Sequence, residues 1–114
     1  MPVYRAQVLA LAAGATFKPD LRPNDRFGPR GGHVRIRAKS LTAALAFVAE
    51  TVFIGNEMVE NRSQIPDTAA PFLIDNFTPA LEAVGGGGEV IDITYTNIGT
   101  AACTFNYFVE IENA

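Results

Sequence analysis

From Val90 to Glu112 apolar and polar residues alternate through two successive runs, and this restricts the chain more than anything else in it. Ile91, Ile93 and Tyr95 fall on one side, with Asp92, Thr94 and Thr96 on the other. Past Asn97-Ile98-Gly99-Thr100, the residues Cys103, Phe105, Tyr107, Val109 and Ile111 alternate with Thr104, Asn106, Phe108, Glu110 and Glu112. A period of two is the spacing of a strand with one buried face. Two such runs around a short glycine-containing link are expected to form a β-hairpin, with Thr, Tyr, Phe and Val paired across it.

The rest of the chain reads the same way in shorter pieces. Val3 to Leu11 fits a mostly buried strand, whereas the same stretch is short for the apolar region of a cleaved leader. Val34, Ile36 and Ala38 alternate with His33, Arg35 and Arg37, giving a strand with one basic face. Phe72 to Phe77, between Pro71 and Pro79, is a further strand candidate. In SLTAALAFVAETVFIGNEMV, Leu41, Leu45, Val48 and Val52 recur at helical spacing. However, Leu45, Phe47, Ala49, Thr51 and Phe53 also alternate, and Val52-Phe53-Ile54 runs into a Gly55-Asn56 turn, so two strands are expected there. Seven prolines and ten glycines leave few stretches long enough for a helix.

The count is seven to eight short antiparallel strands. That predicts an all-β, single-domain β-sandwich over residues 1–114, jelly-roll-like and closed by Greek-key connections. Gly85-Gly86-Gly87-Gly88 reads as a loop between strands; neither Lys-Ser nor Lys-Thr follows, as a phosphate loop would require. The longest apolar run falls well short of the roughly 20 residues of a membrane-spanning helix.

The residues that could carry chemistry are few. His33 is the single histidine and reads as a solvent-facing strand residue. Cys103 is the single cysteine, which rules out an intrachain disulfide and a thiolate metal cluster; its phase with Phe105 and Tyr107 makes it a small core residue. Asp20 with Asp25, and Glu57 with Glu60, are carboxylate pairs without the spacing of a calcium loop. Asn61-Arg62-Ser63 matches the short glycosylation acceptor pattern. No active site is expected, no cofactor and no metal, and the chain reads as a non-enzyme.

Charge is distributed unevenly. The first 39 residues hold eight basic side chains against two acidic ones, while the remaining 75 hold Arg62 against ten acids. Such asymmetry points towards interaction. It is densest across an extended Pro/Arg/Gly-rich loop or arm over 17–33, where Pro19, Pro23 and Pro29 exclude regular structure. Lys18, Arg22, Arg26, Arg30, Arg35 and Arg37 are therefore the candidate partner-binding residues. Phe17 and Phe27 could stack on bases, but the net charge of −3 and the absence of any known nucleic-acid motif make nucleic acid an improbable partner. An acidic protein surface, including that of a second copy, suits the arginines better.

Taken whole, the Ala/Gly/Thr-rich composition, the short strands, the N-terminal arm, the segment VFIGNEMVENRSQIP and the terminal GEVIDITYTNIGTAACTFNYFVEIENA resemble small bacteriophage capsid decoration (cement) proteins. The resemblance implies a virion structural protein, made in the host cytoplasm and seated on the capsid surface. There it would act as a trimer that binds the major capsid protein and staples neighbouring subunits, with residues 17–37 in the arm or its base. Phe108, out of phase with its strand's apolar row, would serve a subunit contact. Two other readings stay open: another virion component (a small jelly-roll capsid, tail or spike subunit), and a carbohydrate- or surface-binding β-sandwich. The second is disfavoured by the absence of Trp.

Overall fold

The structure is a computed structural model describing residues 3–40, 48–64 and 81–114. Eight strands lie in these segments: β1 (Val3–Leu11), β2 (Thr16–Phe17), β3 (Gly32–Ser40), β4 (Val48–Ile54), β5 (Glu57–Gln64), β6 (Leu81–Gly85), β7 (Ile91–Asn97) and β8 (Cys103–Asn113). They pair antiparallel as β1 with β8, β2 with β7, β3 with β6 and β4 with β5. That is the pattern of one long hairpin rolled up on itself. Two further antiparallel pairings, β3 with β8 and β4 with β7, join these pairs into sheets ordered β1-β8-β3-β6 and β2-β7-β4-β5. The architecture is an all-β sandwich with jelly-roll topology.

The core lies between the sheets and is built from rows of alternating residues. In the first sheet, Tyr4, Val109, Ile36 and Leu81 stand side by side across four strands. In the second, Phe17, Tyr95 and Glu50 form a row. The layers meet through aromatic rings, Tyr95 to Phe105 at 5.0 Å and Phe17 to Phe105 edge-on at 6.2 Å between centroids. Full burial of a ring such as Phe105 contributes roughly 1.5–3 kcal/mol.

The terminal alternation therefore marks two strands and their buried faces, but these strands are not a hairpin. β7 belongs to the second sheet and β8 to the first, so the link from Ile98 to Ala102 is a corner that carries the chain across the sandwich. Both inward faces are apolar because they face each other. β1 is also a correction. It is an edge strand with most residues exposed, and of its side chains only Tyr4, Val8 and Leu11 pack against the core. Around Gly55-Asn56 the expected strand pair is present, with Gly55 at φ 62° in the first position of a two-residue link, where a primed turn needs it. β4 buries Val48, Glu50, Val52 and Ile54, and Ala49 besides, while Thr51 and Phe53 are only partly covered. This is the opposite parity to the row from Leu45 to Phe53, of which Leu45 and Phe47 lie outside the described residues, as do Leu41 and the strand candidate Phe72 to Phe77.

The loop between β2 and β3 crosses from one sheet to the other and is anchored throughout. Leu21 and Phe27 are buried in the core. Tyr4 Oη donates to Leu21 O at 2.9 Å, and Gly28 N donates to Asn113 Oδ1 at 2.9 Å. A Cβ on Gly85 would run into the Phe27 ring and Ile54, so glycine there is what admits Phe27. The expected ends of the loop, Phe17 and residues 32–33, are taken up by β2 and β3.

Candidate functional site

The six candidate basic residues occupy two separate places. Lys18, Arg22 and Arg26 belong to the anchored crossing loop. Lys18 Nζ pairs with Asp92 at 3.2 Å, and Arg22 grips Asp20 through Nε at 3.0 Å and Nη2 at 3.1 Å. The Arg22 guanidinium lowers the pKa of Asp20 by hydrogen bonding, and Asp20 in turn raises that of Arg22. Arg26 Nη1 donates to Gly88 O at 3.0 Å. Lys18, Arg22, Asp20, Asp25 and Asp92 line an open cleft of about 260 Å³. The Asp20/Asp25 pair thus shares its cleft with two of the protein's own cations. Arg30 is exposed in the same loop.

Arg35 and Arg37 stand on the outer face of the first sheet, projected by β3 opposite to Val34, Ile36 and Ala38. The register sets Arg35 between Glu82 of β6 and Glu110 of β8. Its Nε donates to Glu82 at 2.8 Å, its Nη1 donates to Glu110 at 2.7 Å, and Glu112 lies at 3.7 Å. Partial burial acts to lower the Arg35 pKa, but the hydrogen bonds to Glu82 and Glu110 outweigh it and the net shift is upward. His33 Nε2 lies 3.7 Å from Glu112, and the side chain is on the outer face of the sheet but partly covered there. His33, Arg35 and Glu82 border a second open cleft, of about 390 Å³. Phe108 is not exposed. It is 8% accessible in the central strand of this face, directly between Arg5 and Arg37, whose long stems can shield a ring.

This placement accounts for part of the charge asymmetry. Rolling up a long hairpin lays early strands against late ones, so cations of the first third meet acids of the last: Lys18 with Asp92, and Arg35 with Glu82 and Glu110. With the local Arg22–Asp20 pair, three of the eight early cations are thus seen paired with carboxylates of the same chain among the described residues.

A polar feature that sequence reasoning passed over lies inside the sandwich. Glu50 is 5% accessible and sits on the inward row opposite the fully buried Tyr95. Glu60 on β5 lies opposite Val52, next to a register shift in the β4–β5 pairing. Loss of solvation and the nearby Glu50 carboxylate push the Glu60 pKa up to about 9, and burial raises that of Tyr95 well above its ordinary value. Glu50 Oε2, Glu60 Oε1 and Tyr95 Oη are buried with no well-formed hydrogen bond among the described residues. The partner of Glu60 is thus Glu50, whereas Glu57 is exposed at the turn. The sequence signal was available: Glu50 shares its parity with Val48, Val52 and Ile54 and is the one carboxylate on that apolar row. The arrangement can hold a proton between two carboxyl groups. No group of three or more His, Cys, Asp or Glu side chains suited to a metal is present among the described residues. Cys103 is fully buried, with Sγ 3.2 Å from Ser40 Oγ.

No family model matches this chain, and no curated protein or solved structure is significantly similar to it.

Proposed function

We propose that the chain is a non-enzymatic virion structural protein that binds the outside of a bacteriophage capsid and cements neighbouring major capsid subunits. The observation that supports this reading best is the strand order, β1-β8-β3-β6 over β2-β7-β4-β5. This jelly roll is an architecture of capsid and lectin domains, rigid and tolerant of lateral contacts along its edges and end loops. Between those two uses, the surface favours protein contact. The large exposed apolar side chains among the described residues are Val3, Leu9, Met58, Val84, Val90 and Ile98, all aliphatic or thioether, whereas sugar platforms are built from aromatic rings.

The test is co-sedimentation of the purified protein with assembled capsids and, separately, with unassembled major capsid protein of the same phage. Saturable binding to assembled capsids that is much weaker to free subunits is the expected result, since a cement gains affinity where several subunits meet. Equal binding to free subunits, or no binding to capsids at low salt, overturns the proposal.

A further inference from the structure

The four sheet edges differ in how they are protected. β2 is two residues long, β6 is five and ends in Gly85, and β5 carries Glu57 and Glu60 and is broken by register shifts. Short length, charge and irregularity are the usual means of blunting an edge. β1 differs from all three. It is nine residues long and contains neither proline nor glycine, and its single charged residue is Arg5. Among the described residues it pairs with β8 alone, and no described strand lies on its other side. Val3 is 44% accessible and Leu9 is 72% accessible. Irregularity enters only at the C-terminal end, where the register shifts between Val8 and Leu11 and Ala10 takes a φ of 49°.

The straight part of this strand is complementary to itself. In an antiparallel pair, residues that oppose each other share a face. A two-fold pairing of β1 with β1 therefore keeps the core-side row against the core-side row only when its centre falls on a residue. Centring on Arg5 would set Arg5 against its own copy, a like-charge contact. Centring on Gln7 would bring the irregular end into the ladder and set Arg5 against Leu9. Centring on Ala6 uses the regular residues Tyr4 to Val8, with Val3 and Leu9 at the two ends and Leu9 at the start of the register shift. It places exposed Val3 against exposed Leu9 and Arg5 against Gln7 on the outer face, with Tyr4 against Val8 on the inner. Ala6 then meets Ala6, and no like charges are opposed.

We propose that the β1 edge is a self-association surface, through which two copies of this chain join their first sheets in an antiparallel ladder centred on Ala6. The contact is isologous and closes on itself, giving an even-numbered assembly, unlike the trimer implied by the resemblance to decoration proteins. It is independent of the virion reading, because pairing of copies and binding to capsids are measured separately.

Ala6→Cys tests the register directly. Ala6 is exposed, so the substitution leaves the fold intact, and opposed residues in a ladder lie within disulfide reach. Cys103 is fully buried and does not compete. Mild oxidation is expected to cross-link Ala6→Cys rapidly into a covalent dimer, while Glu57→Cys, exposed at the β4–β5 turn, cross-links slowly. Light scattering of the unmodified protein is expected to give a dimer or an even multiple of it. Leu9→Lys is expected to weaken association roughly tenfold by removing two symmetry-related Val3–Leu9 contacts. A monomer or a trimer by mass, or cross-linking at Ala6 no faster than at Glu57, overturns the proposal.

Discussion

Asn97 shows how one buried amide can set a fold's connectivity. It is fully inaccessible; Nδ2 donates to Leu11 O and to Ala101 O, both at 2.8 Å, and Oδ1 accepts from Gly99 N at 2.9 Å. The side chain therefore ties the end of β1 to the corner that takes the chain from β7 to β8. Asn97→Ala removes three part-buried hydrogen bonds, each worth about 0.5–1.5 kcal/mol net. The expected loss is about 1.5–4 kcal/mol in urea denaturation. Asn97→Asp, which keeps the acceptor but cannot donate, is expected to recover little of it. A loss for Asn97→Ala below about 1 kcal/mol would mean that water replaces the amide and the corner holds by other means. As a turn residue Asn97 was legible in the sequence. Its reach to Leu11, 86 positions away, was not, because no local pattern encodes a contact between distant segments.

At the scale of elements, period-two alternation identified strands reliably and their partners poorly. Ile91 to Tyr95 and Cys103 to Ile111 are buried on the faces the pattern assigns. Alternation reports only which side is apolar, and a hairpin face and the two facing walls of a sandwich give the same signal. The β4–β5 hairpin was legible because its turn chemistry is local, but the interior carboxyl pair it carries was hidden by the choice of parity. That pair makes the element sensitive to pH. Glu60 has an ordinary pKa near 4.5 when unfolded and about 9 in the fold, so the folded chain holds the extra proton between those values. Stability is then fullest below about pH 4.5 as far as this pair is concerned, and falls as pH rises towards 9. Glu60→Gln, neutral and of similar shape, is expected to flatten this slope between pH 5 and pH 9 and to raise stability at pH 8. Since Glu60 is about half exposed, solvent screening reduces the gain to the order of 1 kcal/mol, about 4 °C or more in Tm. An unchanged pH profile in Glu60→Gln would remove the pair as its cause.

For the whole molecule, strands early and late in the chain are interleaved in space. β8, close to the C-terminus, lies between β1 and β3 in the first sheet, and its register with β3 runs from Gly32–Asn113 to Ser40–Phe105. The same interleaving accounts for part of the charge distribution, because it sets Lys18 beside Asp92 and Arg35 beside Glu82 and Glu110; sequence statistics cannot tell a distant segment of the same chain from another protein. Composition and breaker spacing were enough for the sandwich and its number of strands, since both depend on local chemistry. The folding consequence is specific. Until β8 is present, β1 has no partner among the described strands, β3 has only β6, and the inner wall of Phe105, Tyr107, Val109 and Ile111 that faces Tyr95 and Phe17 is missing. Strands paired across nearly the whole chain also place folding in the slow range of all-β domains, about milliseconds to seconds. A chain ending at residue 102 is therefore expected to lack a cooperative thermal transition and the near-ultraviolet signal of packed tyrosines, while the full chain shows both. A cooperative transition in the shortened chain would show that the second sheet is stable alone, and that β8 completes the sandwich without being required to form it.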